Sequence, residues 1–376
     1  MSGTAPGKGT ARRAGALGRL GWRDLPALAL TLAVGAAGGA VFNYFQLPLA
    51  WMLGAMCATT PFALARVPLV MDSRLRMVMI VVLGMMIGGA FSPDILAKAG
   101  RWWISMAGMA VFVAGVGAMI YVYYVRVTGL DRRTALFASL PGGLNEMAVM
   151  GADMGADDRM ISLAHSVRIF IVVMTIPFLF QALGWYERGA SAYSVIVLAD
   201  VQTVAVIKIV GGSLAGMAVC RLVRFPSPVL IGAMLGSAAV HITGWTDAQL
   251  PTIFITLSQI VIGSAIGARF AGLTGKMVWR GIRHAAGSSA MMLVAAFAAT
   301  AALAPLVGLA FAPVLLAFAP GGFAEMILIA LALNVDTAYV STHHLFRIFL
   351  IVLTVPALFR MLAWFGIRKE AAKRVR

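Results

Sequence analysis

Leu140-Pro141-Gly142-Gly143-Leu144-Asn145-Glu146-Met147 occurs twice in this chain: it returns as Ala319-Pro320-Gly321-Gly322-Phe323-Ala324-Glu325-Met326, 179 positions later. The register holds without a gap as far as Phe180 and Phe359. Asp157 falls on Asp336, Ser162 on Ser341, His165 on His344, Arg168 on Arg347, Thr175 on Thr354 and Pro177 on Pro356. Two segments that are merely apolar would share Leu and Val, whereas these share polar, charged and helix-breaking residues. The chain is therefore a duplication with one Pro-Gly-Gly interruption per copy.

The setting of those interruptions is apolar. Of 376 residues, 61% are hydrophobic and 12% charged, against about 25% charged in soluble domains. Mean hydropathy is +0.92. Apolar runs follow one another almost without pause, many near the length of roughly 20 residues that crosses the hydrocarbon of a bilayer. The net charge of +16 does not point to nucleic acid. Lys8, Arg12, Arg13, Arg19, Arg23, Arg368, Lys369, Lys373, Arg374 and Arg376 lie in the two tails, and most other basic residues sit at the ends of apolar runs. That is the positive-inside pattern and the pattern of attraction to anionic lipid, so no direct nucleic-acid partner is expected. Cys57 and Cys220 form no CxxC motif and no metal-ligand spacing, and no cofactor is predicted.

Read in order, residues 1–23 form a basic N-terminal tail, 24–188 the first membrane repeat, 189–366 the second, and 367–376 a basic C-terminal tail. Spans are predicted near 25–43, 49–66, 77–92, 103–125 and 161–184, then near 200–220, 227–243, 252–270, 284–304 and 339–363. Gly38 and Pro48 match Gly216 and Pro226, so the first apolar run is a retained helix and not a cleaved signal. Gly84 and Gly88 match Gly263 and Gly267, small-xxx-small spacings that let helices approach closely.

The Pro-Gly-Gly elements, at 134–152 and 312–333, are either re-entrant segments or tight connections between full spans. If they dip in and leave by the same side, each half has five spans, and nearly all the basic clusters fall on one face. Lys98 and Arg101 are the misplaced ones. The fold class is then all-α polytopic, with about ten transmembrane helices in two inverted repeats. Both termini are expected in the cytoplasm of a bacterial inner membrane.

Pro141 and Pro320 lack an amide hydrogen, and the glycine pairs accept backbone angles that other residues resist. Broken backbone at membrane depth is tolerated only where protein or a polar cavity satisfies it. Helices restarting after Gly142-Gly143 and Gly321-Gly322 would aim positive ends at a ligand. Glu146 and Glu325 lie three residues further on; carboxylates at this depth by default mark an ion or proton path, the alternative being a cap paired with Arg168 or Arg347. His165 and Arg168, like His344 and Arg347, share one helical face. They read either as a clamp for a carboxylate or phosphate or as an internal salt bridge to an acid. Asp157 and Asp336 are expected to cap helices. Asn145 faces Ala324 in the register, which would give a shared site a preferred end.

The doubled Leu-Pro-Gly-Gly-x-x-Glu-Met followed by His-x-x-Arg-Ile-Phe resembles the AbrB-type integral membrane family, over roughly residues 25–365. The resemblance implies a duplicated membrane unit and brings the labels regulator of gene expression and ammonia monooxygenase. This sequence has no soluble DNA-binding domain and no set of His ligands for an oxygenase metal, so neither label is expected in a direct form and no enzyme is predicted. The expected activity is secondary transport of a small anionic or zwitterionic metabolite, coupled to protons or sodium. Gly142, Gly143, Asn145, Glu146, His165, Arg168, Gly321, Gly322, Glu325, His344 and Arg347 are the candidate site. The alternative is a membrane sensor that affects gene expression through a partner docked on the basic tails. The lipid bilayer and a small-molecule or ion substrate are the expected partners, and homodimers are common among such proteins.

Overall fold

A computed structural model describes residues 24–93, 95, 99–185, 202–271 and 275–374. The N-terminal tail, Lys98, Asp200 and the boundary between residues 188 and 189 lie outside them. Among the described residues all regular structure is helical.

The first half runs α1 (Leu25–Tyr44), α2 (Ala50–Leu64), α3 (Ser73–Gly88), α4 (Trp103–Tyr123), α5 (Arg132–Ser139), α6 (Leu144–Asp153) and α7 (Asp158–Ala182). The second half runs α8 (Thr203–Leu222), α9 (Pro228–Ile242), α10 (Ile253–Ala268), α11 (Gly275–Val307), α12 (Phe311–Phe318), α13 (Phe323–Ala332) and α14 (Thr337–Arg374). A π-turn, Tyr124–Thr128, continues α4. The two predicted Pro-Gly-Gly elements are therefore each two short helices with an extended joint between them. α14 continues as helix to Arg374, through the predicted start of the C-terminal tail at 367.

Among the described residues, six helices are long and apolar enough to cross a membrane: α1, α4 with its π-turn, α7, α8, α11 from Gly281 onward, and α14 as far as Val355. α2, α9, α10 and α13 are apolar but shorter, at 15, 15, 16 and 10 residues. Trp103, Val111, Val294 and Leu353 turn large apolar side chains outward from the long helices. A water-facing surface of that kind would be an aggregation site, and a lipid-facing one is simply matched to its solvent.

Aspartates cap four of the helix starts. Asp72, Asp131 and Asp157 accept backbone N–H groups at the starts of α3, α5 and α7, and Asp336 accepts from the Tyr339 amide at the start of α14. Leu49 before α2 (φ 45°) and Ser227 before α9 (φ 47°) both hold left-handed backbone directly after a proline. The same uncommon turn thus opens the second helix of each half.

Glycines set which helices touch. A side chain on Gly54 would strike the Gly38 carbonyl, and one on Gly232 the backbone of α8, so α1 lies directly on α2 and α8 on α9. Gly84 and Gly88 are packed against α9, and Gly263 and Gly267 against α2. These four are packing glycines that tie the two halves together crosswise. Helices α1–α3 pack with α8–α10 into one bundle, and α4–α7 pack with α11–α14 into a second. The bundles meet chiefly where α13 and α14 cross α3 and α10, and through a cluster of Ala63, Leu69, Leu163, Val167, Phe270 and Ala285. Both interrupted helix pairs belong to the second bundle.

Candidate functional site

Each break is a place where a helix runs out of amide donors. α5 ends at Ser139; Leu140 is extended (ψ 136°), Pro141 has no N–H, and α6 begins after Gly143. α12 ends at Phe318, Ala319 is extended (ψ 135°), and α13 begins after Gly322. The carbonyls left at each joint are taken up by one histidine and one arginine from the next long helix. His165 Nε2 lies 3.0 Å from the Phe137 carbonyl, and Arg168 donates to Leu140 (3.1 Å) and Gly142 (3.2 Å). In the second copy His344 Nε2 lies 2.9 Å from the Leu316 carbonyl, and Arg347 donates to Ala319 (2.7 Å) and Gly321 (3.1 Å). Arg347 also donates to His344 Nδ1 at 2.8 Å, which fixes that ring as the tautomer protonated on Nε2.

These contacts answer what the repeated His-x-x-Arg is for. Each terminal nitrogen of both arginines donates to a main-chain carbonyl, and the Nε groups of both are buried without a partner. Broken helices survive at membrane depth because this side chain replaces the missing donors. Arg168 and Arg347 thus brace the breaks. α7 and α14, which carry these pairs, are the most enclosed of the six long helices.

The glycine pairs also work differently from the expectation. Gly142, Gly143, Gly321 and Gly322 are not among the residues with positive φ; what they supply is room. A Cβ on Gly142 or Gly321 would meet Met147 or Met326, and one on Gly143 or Gly322 would meet the carboxylate of Glu146 or Glu325. Each glutamate therefore folds back over the start of its own helix, where the unsatisfied amides and the dipole favour negative charge.

The two breaks meet. One cavity of about 200 Å³ is lined by Gly142, Gly143, Glu146, Gly321, Gly322, Glu325 and Arg347 from the second bundle. Arg76 at the start of α3, Arg269 at the end of α10, and Ser227, Val229 and Leu230 at the start of α9 line it from the first. Glu325 is buried, at 7% exposure. Arg269 interacts electrostatically with Arg76 and with Glu325. Ser227 donates its hydroxyl to Glu146 at 2.5 Å. Of the predicted site residues, His165, Arg168 and His344 stand behind this cavity and do not line it. Asn145 is the second residue of α6, and its side chain is not described.

Arg76, Arg269 and Ser227 were not predicted. Their counterparts at the repeat spacing are Ile255, Ala90 and Leu49, so the duplication that flagged the other residues is silent on them. Ile255 and Ala90 line a second cavity, of about 440 Å³, with Met85, His241, Asn334 and Asp336. It lies at the far ends of α3 and α10, which at 16 residues and 1.5 Å per residue are about 24 Å long. Both cavities lie between the bundles, one at each end of these helices. Among the described residues no group of three His, Cys, Asp or Glu is placed to hold a metal ion.

The family described as transition state regulatory protein AbrB matches residues 51–363. Among curated proteins, "Uncharacterized protein YhjN" of Bacillus subtilis (strain 168) is 27% identical over 362 residues, 88% of this chain and 92% of that protein. "Putative regulator AbrB" of Escherichia coli (strain K12) is 26% identical over 360 residues, 94% of this chain and 99% of that protein.

Proposed function

This chain belongs to the AbrB family, and on that premise we propose that it is a secondary transporter of a small anionic or zwitterionic metabolite, coupled to protons or sodium. The observation that carries the reading is the single cavity into which both interrupted helices bring a glutamate and a helix N-terminus. Ionisable groups at membrane depth are expensive, and two of them facing a shared cavity mark a path for charge. The division into two bundles, with a cavity between them at either end of α3 and α10, supports movement of one bundle against the other as the means of alternating access.

In this reading Arg76 and Arg269 attract the negative group, while Arg168 and Arg347 brace the main-chain carbonyls of the breaks. Glu146 and Glu325 carry the coupling ion. The ten spans are the six long helices together with α2, α3, α9 and α10, and α5–α6 and α12–α13 enter and leave by opposite faces. The halves are then inverted, and both termini lie in the cytoplasm of a bacterial inner membrane. No reacting group is required of the protein.

The test is uptake into proteoliposomes under an imposed proton or sodium gradient, with the wild type beside a Glu146→Gln/Glu325→Gln double variant. Gradient-driven uptake by the wild type and its loss in the variant are expected. Equal uptake by the two would sink the assignment.

A second reading, a membrane sensor that acts on gene expression through a partner, is favoured by the name of the E. coli relative. It assigns the signal to the basic tails. Deleting residues 1–20 and 368–376 should then abolish regulation while leaving uptake unchanged.

A further inference from the structure

We propose that the cavity between the bundles binds a small zwitterion, its carboxylate on Arg76 and Arg269 and its cationic group on Glu325, leaving Glu146 and Ser227 for the coupling ion. This deepens the transport reading and rests on it for translocation, although binding can be tested alone.

Charge of both signs is the first argument. Arg76, Arg269 and Arg347 bring three positive charges to the cavity and Glu146 and Glu325 two negative ones. The bonds from Arg347 to the Ala319 and Gly321 carbonyls hold it in place and leave its charge, so the lining keeps an excess of one positive charge. A ligand that carries a carboxylate and a cationic group finds an opposite charge for each of them on these walls.

Placement is the second. In an α-amino or betaine-type acid the two charges are separated by a single carbon, so their partners must be neighbours. Arg269, Arg76 and Glu325 line the same cavity, and Arg269 is coupled electrostatically to both of the others. Two guanidinium groups and one buried carboxylate therefore stand together, on opposite walls of the cavity: the arginines on α3 and the end of α10, the glutamate on α13. Glu146 differs from Glu325 in having a hydroxyl partner, Ser227, where the repeat counterpart is Leu49. That difference separates the two carboxylates into a substrate group and an ion group. Size is the third argument. About 200 Å³ is below the roughly 300–1,000 Å³ of pockets for drug-sized ligands, and suits a molecule of amino-acid dimensions.

The experiment uses the purified full-length protein and reads thermal stabilisation. The probes are small α-amino acids and their N-methylated betaine forms, the same carboxylates without nitrogen, and the corresponding amines. Saturable stabilisation by a zwitterion, with the nitrogen-free carboxylate and the amine each at least about tenfold weaker, is the expected result. The variant Glu325→Gln should bring zwitterion and carboxylate to the same affinity. Arg269→Gln should weaken both.

No response to any zwitterion, or equal response to the nitrogen-free acids, overturns the proposal. Uptake by the same protein in proteoliposomes separates the two readings. Zwitterion binding without uptake removes transport and keeps the site. Uptake of carboxylates regardless of nitrogen keeps transport and removes the zwitterion.

Discussion

Arg168 and Arg347, 179 positions apart, hold the equivalent pair of carbonyls in their respective copies, Leu140 with Gly142 and Ala319 with Gly321. A planar fork is needed to reach two oxygens two residues apart, and lysine presents only a point charge. Arg347→Lys should leave at least one buried carbonyl without a donor, at about 1–3 kcal/mol. A lowered melting temperature in detergent is the readout. An arginine that only touched substrate would leave melting unchanged when replaced by lysine.

Two glycine replacements should behave in opposite ways. A methyl at Gly54 runs into the Gly38 backbone, which cannot move aside. Gly54→Ala should therefore cost about 1–3 kcal/mol and lower the melting temperature. A methyl at Gly143 meets the mobile end of Glu146. Gly143→Ala should melt near the wild type yet reduce gradient-driven uptake, because it displaces the carboxylate from the cavity. Similar melting of the two variants would contradict this division between packing glycines and site glycines.

Asp131, exposed at the start of α5, gives a pH dependence with a definite sign. Slight burial pushes its carboxyl up, but hydrogen bonds from Thr134 and the Arg133 amide, with the Arg133 charge, outweigh that and hold it below the ordinary carboxylate value. A depressed folded pKa stabilises above the unfolded pKa and is lost as pH falls through the folded one. Asp131→Asn keeps the cap oxygen and removes the charge. Near pH 7 it should be less stable by at most about 1 kcal/mol, the contact being largely exposed. The difference should close below about pH 4. A gap that widened in acid would reverse the assignment.

Orientation can be read with two cysteines. Gly155 has φ +74°, so a side chain there is strained, but its neighbour Ala156 falls on Val335 at the repeat spacing. Single cysteines at Ala156 and Val335, in a background lacking Cys57 and Cys220, should label from opposite sides of the membrane. Labelling from the same side would make the halves parallel and the breaks plain connections.

The breaks, both glutamates and the His-x-x-Arg pairs are legible in the sequence because duplication repeats polar residues that drift would otherwise erase. Their roles are less so. Arg168 and Arg347 read as ligands because an intramembrane arginine invites a partner, and spacing alone does not disclose that the partner is a carbonyl 28 residues back. Arg76 and Arg269 were hidden for a different reason. At the ends of apolar runs they satisfy the positive-inside pattern, and only the crossing of α3 and α10 beneath α13 brings them to the cavity. The crosswise pairing of α3 with α9 and of α10 with α2 also has no local signal, although Gly84, Gly88, Gly263 and Gly267 marked the surfaces involved. Helix limits shifted where the helix runs beyond the apolar stretch: α3 starts at Ser73, ahead of the predicted residue 77, because Asp72 caps it.

On the transport reading, the replacement of Arg76 and Arg269 by Ile255 and Ala90 at the other cavity makes the pathway electrically lopsided. Two guanidinium groups at one vestibule focus the field outward and raise the local concentration of carboxylates; at the opposite vestibule the equivalent positions carry no charge. Half-saturation should therefore differ between the two sides of an oriented vesicle, and the difference should shrink as salt screens the arginines. An architecture built from two copies of one unit would by itself be a reversible turnstile. On the transport reading, two unmatched residues are enough to make its two sides unequal.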